Sequence, residues 1–280
     1  MSLRQGFRQY FAIFTCLFLG LCALLLAREN ALLPDGKTHA YFFDVGQGDS
    51  ALLVSPSGKT ILIDGGPDLS ALEPLGRHLS FMQKRIDLLI LTHPERDHLA
   101  AFPEILRHYH VRALLLTGAE GSEGRYQEIL ALAHTQNISI LLSRPVRDID
   151  FGDGLLLDVL WPPAQLPSVQ TNAASLVFRA VTGSSSILFT GDIDRIAEEA
   201  LLGAGTDVHA SILKVPHHGS DTSSTLAFLR AVHPGLAIIS VGKDNPYGHP
   251  RPETLERYAA LNIPVRMTAR EGTIALTLAP

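Results

Sequence analysis

The sequence predicts an α/β protein, in which a single globular domain follows an N-terminal apolar segment. Apolar runs that are short enough for buried strands alternate with helical patterns through most of the 280 residues. Hydrophobic residues make up 46% of the chain and charged residues 18%, which suits a packed core and argues against disorder. Clusters of His, Asp and Gly follow several strand patterns, where α/β proteins place their functional sites.

Composition narrows the classes of function. The formal net charge of −5 gives no overall basic surface, so a nucleic-acid partner would need a local basic groove or phosphate contact through a metal. Both cysteines, Cys16 and Cys22, lie in the N-terminal apolar segment. The globular part therefore has no disulfide and no thiolate metal site.

Residues 1–27 are predicted to be a membrane anchor or a signal segment. Arg4 and Arg8 precede an uncharged apolar stretch, residues 10–27. As a helix this stretch spans roughly 27 Å, close to the ~30 Å bilayer core. We favour an uncleaved single-pass anchor in the cytoplasmic (inner) membrane over a secreted protein with a cleaved signal. The positive residues before the stretch favour placing the domain on the extracytoplasmic side, although Arg28 after it acts against this orientation.

Residues 28–38 are predicted to be a linker, and residues 39–280 a single domain that opens with strands. Three strand patterns occupy residues 40–45, 51–54 and 60–63. The first two flank the glycine turn Asp44-Val45-Gly46-Gln47-Gly48-Asp49-Ser50, and Asp64-Gly65-Gly66-Pro67 follows the third. The turn at Asp64 either exposes amide groups that cradle an anion or simply ends a hairpin.

The densest polar cluster follows the next strand pattern, residues 86–91. His93, Glu95, Asp97 and His98 stand within a few residues of each other, before a helical pattern over residues 98–109. Imidazoles and carboxylates at this density are typical of metal ligands.

The remaining elements alternate to the end of the chain. Strand patterns cover residues 111–116, 138–142, 155–160, 175–181, 186–189, 210–215, 236–241, the region of 265 and 273–278. Helical patterns cover residues 126–134, 193–202, 224–232 and 253–261, and residues 144–154 form a turn-rich crossing.

Further potential ligands stand at the ends of two later strands. Asp192 follows one strand, and His217 with His218 follows another. Asp97, His98, Asp192 and one histidine of the pair would hold one divalent ion, whereas His93 and Glu95 would complete a second site bridged by Asp192. Two ions about 3.5–4 Å apart clamp a phosphoryl group and activate water. As alternatives, Asp192 is a helix N-cap, the histidine pair is an ordinary loop, and His249 either lines the site or does not.

Several short motifs follow one another in a specific order. They are Asp44-Val45-Gly46-Gln47-Gly48-Asp49, Asp64-Gly65-Gly66, His93-x-Glu95-x-Asp97-His98, Thr190-Gly191-Asp192, His217-His218-Gly219-Ser220 and Gly248-His249-Pro250. Together they resemble a metallo-β-lactamase-fold hydrolase and, more narrowly, the metallo-β-lactamase-like domain of the ComEC family of competence DNA-uptake proteins. The resemblance covers residues 40–278 and implies an αβ/βα sandwich with a metal site where the two sheets meet.

The chain departs from the wider fold family at two expected ligands. Glu95 stands where a histidine is usual, and residues 171–175 lack a further expected histidine. The ComEC-like group is similar in both respects. The loss of two imidazoles affects the site that His93 and Glu95 would complete: it either favours a harder ion there, such as Mn²⁺ over Zn²⁺, or leaves that site weak and dependent on substrate. The site of Asp97, His98, Asp192 and one histidine of the pair remains intact. A ComEC-like channel region is also missing from this sequence, so we expect a stand-alone relative or one that works beside a separate membrane channel.

Our leading hypothesis is a metal-dependent phosphodiesterase with one or two ions, specifically a nuclease that degrades single-stranded DNA outside the cytoplasm. Asp97 would position the water, and the second histidine of the pair would protonate the leaving oxygen. The predicted substrate contacts are Asp64, Lys214, Ser220, Lys243 and His249. Two alternatives remain open: a hydrolase of a cell-envelope phosphodiester, such as a phosphocholine or teichoic-acid linkage, and a non-catalytic metal-stabilised envelope module.

Overall fold

The computed structural model describes residues 3–81, 84–119, 121, 124–143, 148–162 and 172–279. The strands are β1 (Thr38–Phe42), β2 (Ala51–Val54), β3 (Thr60–Ile63), β4 (Arg85–Ile86), β5 (Leu88–Ile90), β6 (His110–Val111), β7 (Ala113–Leu116), β8 (Ser139–Leu142), β9 (Ile149–Asp150), β10 (Leu155–Trp161), β11 (Val177–Thr182), β12 (Ser185–Phe189), β13 (Ile212–Lys214), β14 (Leu236–Ile239), β15 (Val265–Met267) and β16 (Ile274–Leu278). The helices are α1 (Leu3–Ala31), α2 (Leu72–His78), α3 (Arg96–Leu99), α4 (Phe102–His108), α5 (Gly124–Thr135), α6 (Arg195–Gly203), α7 (Leu226–Val232), α8 (Pro252–Ala260) and α9 (Thr268–Glu271).

Two mixed sheets of seven strands each form the centre of the domain. The first has the order β16-β1-β2-β3-β5-β7-β8, and the second has the order β15-β14-β13-β12-β11-β10-β9. An apolar core that includes Phe42, Phe178 and Phe189 lies between the sheets. Helices α2, α4 and α5 cover the outer face of the first sheet, and α6, α7 and α8 cover that of the second. This confirms the predicted αβ/βα sandwich.

The strand directions explain why the polar clusters meet. Strands β3, β5 and β7 are parallel, as are β12, β13 and β14. Parallel strands present their carboxyl ends at the same edge of a sheet. The loops after β3, β5, β12 and β13 carry most of the predicted ligands to this edge.

The predicted element boundaries differ from the structure in a few places. Strands β2 and β3 have the predicted bounds, but the single helix predicted over residues 98–109 is two helices, α3 and α4. Helix α2, which the sequence analysis missed, contains Pro74 and Gly76, and these residues obscure a helical pattern. The predicted crossing at residues 144–154 lies partly outside the described residues.

Helix α1 is the one described helix long and apolar enough to cross a membrane, over Tyr10–Ala31. It extends into the segment that was predicted to be a linker. The guanidinium of Arg28 donates hydrogen bonds to the carbonyls of Gly76 (2.7 Å) and Leu79 (3.1 Å). The carboxylate of Glu29 accepts a hydrogen bond from the hydroxyl of Ser80. The last turn of α1 is therefore attached to the globular domain.

Candidate metal centre

Four of the predicted ligands lie together at the edge where the sheets meet. Asp97, His98, Asp192 and His218 each offer one ligand atom, and these atoms all lie within 4.8 Å of one another. His98 Nε2 lies 3.4 Å from Asp192 Oδ1, and His218 Nε2 lies 3.4 Å from Asp192 Oδ2. Asp97 Oδ2 lies 3.4 Å from His218 Nε2. We call these four residues the main cluster.

The main cluster has the donor set and the unsatisfied atoms that a divalent cation requires. His98 Nε2, His218 Nε2 and Asp192 Oδ1 are buried and have no hydrogen-bond partner. Buried polar atoms are normally paired, so the convergence of these unpartnered atoms indicates a binding position for a cation. Two imidazole nitrogens and two carboxylates suit Zn²⁺ or Mn²⁺. The residues therefore fit a bound divalent ion.

His98 is oriented by a buried carboxylate behind it. Asp64 Oδ2 accepts a hydrogen bond from His98 Nδ1 (2.8 Å), while Asp64 also accepts from the amide (2.8 Å) and hydroxyl (2.7 Å) of Thr92. Such a partner fixes the tautomer and aims Nε2 at a metal. Asp64 is 1% exposed and supports His98 from behind, and its predicted contact with substrate stays a prediction.

His218 is held by a strained turn after β13. His217 and His218 both have positive φ angles, 49° and 51°, which are costly for residues other than glycine. This conformation lets His218 Nδ1 donate to the carbonyl of Ser240 (2.9 Å) and present Nε2 to the main cluster. The sequence analysis left the choice within the histidine pair open, and the structure places His218 in the cluster.

Asp97 is positioned by the glycine turn between β1 and β2. The carbonyl of Asp97 accepts a hydrogen bond from the amide of Asp49 (3.2 Å). A Cβ at Gly48 would lie 2.4 Å from the same carbonyl, so the close approach requires glycine. The turn thus supports a ligand, a role that the sequence analysis did not assign to it.

The ammonium group of Lys214 is buried beside Asp49. Its Nζ forms an ion pair with Asp49 Oδ2 (2.6 Å) and donates to the carbonyl of Val215 (2.9 Å), and the residue is 3% exposed. The charge of Lys214 is paired with a buried carboxylate, and its predicted neutralisation of a substrate phosphate stays a prediction. This ion pair also makes the second cluster of potential ligands, Asp49, Asp64 and His98, a poor cation site.

The electrostatic field of the main cluster stabilises positive charge. Burial opposes protonation of His98, but the carboxylates of Asp192 and Asp64 raise its pKa well above the ordinary value. Burial likewise opposes protonation of His218, and Asp192 and Asp49 raise its pKa well above the ordinary value. Burial opposes ionisation of Asp192, yet His218 and His98 hold its pKa well below the ordinary value. A cation is favoured in this environment.

His93 and Glu95 form a looser flank beside the main cluster. His93 Nε2 is buried without a hydrogen-bond partner, and it lies 3.9 Å from Glu95 Oε2. Burial, and then the neighbouring His98, lower the pKa of His93 to about 3, so its imidazole is neutral. Among the described residues, His93 belongs to neither group of three or more clustered ligand atoms.

The other predicted site residues lie around this edge. His217 Nε2 lies 3.9 Å from Asp192 Oδ2, and the His217 ring lies 5.8 Å from the ring of His249. Lys243 is exposed. Ser220 is buried, and its hydroxyl is bonded to that of Thr222 (2.9 Å); its predicted contact with substrate stays a prediction.

The described part of the segment that lacks the expected histidine, residues 172–175, reaches the cluster. Ser175, at its end, accepts a hydrogen bond from the amide of Asp192 through its hydroxyl (3.2 Å). Thr92, Ser175 and Ser240 are supporting residues that the sequence analysis missed, because a serine or threonine after a strand carries no distinctive signal.

Comparison with known proteins gives a family and relatives. A family model described as the metallo-beta-lactamase superfamily matches residues 43–243. The chain is 33% identical to ComE operon protein 3 of Bacillus subtilis over 91% of its own length and 35% of the relative's length. It is 29% identical to competence protein ComA of Neisseria gonorrhoeae, over 88% of its own length and 33% of the relative's. The chain thus spans about a third of the length of these curated relatives.

Solved structures support the fold. The metallo-beta-lactamase fold protein YhfI from Bacillus subtilis superposes with a TM-score of 0.56 at 14% identity. The match covers 85% of this chain and 99% of that protein.

Proposed function

The chain belongs to the metallo-beta-lactamase superfamily, as the motifs predicted, and from this premise we propose that it is a metal-dependent phosphodiesterase that cuts single-stranded DNA. The superfamily and the competence names of the relatives agree with the ComEC-like assignment. Neither the superfamily nor the names of the relatives specify nuclease activity, which is our proposal.

The observation that carries the proposal is the convergence of unpaired buried ligand atoms in the main cluster. His98 Nε2, His218 Nε2 and Asp192 Oδ1 share one space, and Asp97 closes it. The main cluster would hold a divalent ion, which would lower the pKa of a bound water toward neutrality and neutralise charge on a phosphate. The main cluster contains no cysteine, and two of its four residues offer carboxylate oxygens. This donor set favours Mn²⁺ over Zn²⁺.

Asp97 of the main cluster and His217 beside it have the exposure that reaction with a substrate requires. The side chain of Asp97 is 29% exposed, so it positions the attacking water at the mouth of the site. The side chain of His217 is 27% exposed and lies beside Asp192, so it donates a proton to the leaving oxygen. Asp64 and Ser240 hold the imidazoles of His98 and His218 in the orientation that this geometry needs.

The partner and the location follow from the same assignment. Single-stranded DNA is the substrate, and α1 anchors the chain in the cytoplasmic membrane with the domain on the extracytoplasmic side. The competence names of the relatives support a DNA-uptake context, in which a membrane channel works beside this domain.

The experiment uses the full-length chain in detergent micelles with Mn²⁺ and a labelled single-stranded oligonucleotide. The wild type cuts the oligonucleotide, and Asp97→Ala abolishes cutting while leaving the fold, measured by circular dichroism, unchanged. Equal cutting by both proteins would refute the mechanism.

A second candidate is hydrolysis of a cell-envelope phosphodiester, which the net charge of −5 favours over binding to long DNA. Cleavage of bis(p-nitrophenyl) phosphate, together with inertness toward every oligonucleotide, would select this candidate.

A further inference from the structure

A pair of stacked aromatic rings leads from the metal centre to solvent. The ring of Tyr247 stacks on that of His249, with centroids 5.9 Å apart and planes 15° from parallel. The His249 ring contacts the ring of His217, which lies beside Asp192 of the main cluster. Tyr247 is 59% exposed, so it ends this chain of rings at the surface.

The loop that presents Tyr247 is fixed by one asparagine. The Asn245 amide donates to the carbonyls of Gly242 (2.9 Å) and His249 (2.7 Å), and its oxygen accepts from the His249 amide (2.9 Å). These bonds close the segment into a defined shape. A preorganised ring loses little entropy when a ligand binds.

The charges around the ring suit a polyanion. Lys243 precedes Tyr247 and Arg251 follows it; both are exposed, and the Arg251 guanidinium lies against Gly248. Asp244 is the acidic residue in the same loop, so the loop carries net positive charge although the whole chain is negative. A cationic loop with an exposed ring matches the usual mode of single-strand binding, in which cations track the backbone and aromatic rings stack on bases.

We propose that Tyr247 is a stacking platform for one unpaired base of a nucleic-acid strand whose neighbouring phosphate lies at the metal centre. This subsite rests on the proposed nuclease function and deepens it. A flat ring open to solvent recognises a planar base, whereas a quaternary ammonium headgroup is bound by a cage of aromatic rings. Paired bases in a duplex have no free face, so the platform selects single strands.

The test compares two single-stranded oligonucleotides of equal length, one with bases throughout and one with abasic sites around the cleavage position. The full-length wild type in detergent with Mn²⁺ should have a KM at least about fivefold lower for the base-bearing strand. Tyr247→Ala should remove this difference, and Tyr247→Phe should retain it. Phe81→Ala, which removes another exposed aromatic ring (52%), should keep the wild-type difference.

The outcomes separate the subsite from the function. If the wild type cuts both strands with equal KM, or if Tyr247→Ala retains the full difference, the platform is refuted and the nuclease stands. If the wild type cuts neither strand, the nuclease function is refuted and the platform with it.

Discussion

The two flanks of the metal centre are built differently. In the main cluster, His98 and His218 each have a hydrogen-bond acceptor behind the ring, Asp64 for the first and the carbonyl of Ser240 for the second. On the other flank, the hydrogen-bond partner of His93 Nδ1 is a neutral hydroxyl, that of Thr92 (3.1 Å), which also donates to Asp64. Glu95, its neighbour on this flank, has a side chain that is 37% exposed.

This difference predicts different affinities for cations. Carboxylate and carbonyl acceptors behind an imidazole raise its basicity as a ligand, and buried carboxylates supply charge. The main cluster has both, whereas the His93 flank has one neutral imidazole and one solvated carboxylate. We therefore expect one firmly held ion, with a second that joins only at high metal concentration or with substrate.

Among the substitutions that compare the two flanks, Asp192→Asn should have the largest effect. The Asp192 carboxylate lies within 3.4 Å of both His98 and His218, so its loss leaves the main cluster without its central charge. Cleavage should fall by more than about 100-fold, beyond the usual loss for an outer-shell partner. Steady-state kinetics at saturating Mn²⁺ measure this. Asp194→Asn is the matched control, because Asp194 caps α6 through Ile196 and Ala197 and should affect stability rather than cleavage.

The next effect should come from Asp64→Asn, which keeps the size of the side chain but removes the charge behind His98. Asparagine tolerates the φ of 57° at this position, so the backbone should persist. The affinity of the main cluster for Mn²⁺ should fall by about 10- to 100-fold. Calorimetric titration measures the affinity, and an unchanged value would show that Asp64 does not orient His98.

A smaller effect is expected from His93→Ala on the loose flank. The Mn²⁺ concentration for half-maximal cleavage should rise roughly tenfold, the low end of the effects seen when residues around a metal are mutated, whereas the firmly bound ion should stay. Activity measured across a Mn²⁺ series gives this value. A loss as severe as that of Asp192→Asn would mean that the two flanks are equivalent.

The smallest effect on cleavage is expected at Glu198, a buried carboxylate bonded to the loop that follows the histidine pair, because it contributes to stability rather than to the site. Glu198 accepts hydrogen bonds from the amides of Ser224 (2.5 Å) and Thr225 (2.9 Å), near Arg257 and Tyr258 of α8. Burial raises the pKa of Glu198 from 4.5 to about 7. The folded state thus binds more protons than the unfolded state between these values.

Raising the pH through this range should therefore lower the free energy of unfolding, by roughly 3 kcal/mol at most. Glu198→Gln should reduce the slope of the free energy of unfolding against pH. Glu199→Gln, at the exposed neighbouring carboxylate, should leave this slope unchanged. Thermal unfolding in detergent between pH 5 and pH 8 measures the slope. Equal slopes in the wild type and Glu198→Gln would contradict the assignment.

The convergence of the ligands could be predicted from the sequence, because parallel strands present their carboxyl ends at one edge of a sheet. Asp97, His98 and Asp192 each follow a strand that an apolar run predicts, and the structure brings them together. Helix boundaries near the site were less accurate, since the turns there break the helical periodicity.

The roles of the buried charges could not be predicted. Lys214 and Asp49 are far apart in the chain, and they pair only because the two sheets meet. Likewise, His218 rather than His217 lies in the main cluster because of the left-handed turn, and no local sequence pattern predicts that turn. Such long-range contacts decide whether a charge faces the substrate or supports a ligand.

The most direct test of the account is calorimetric titration of Mn²⁺ into the metal-stripped, full-length protein. We predict one tight site in the wild type, its retention in His93→Ala, and its loss in Asp192→Asn. A tight site that survives in Asp192→Asn, or no tight site in the wild type, would contradict the claim that Asp97, His98, Asp192 and His218 hold the metal.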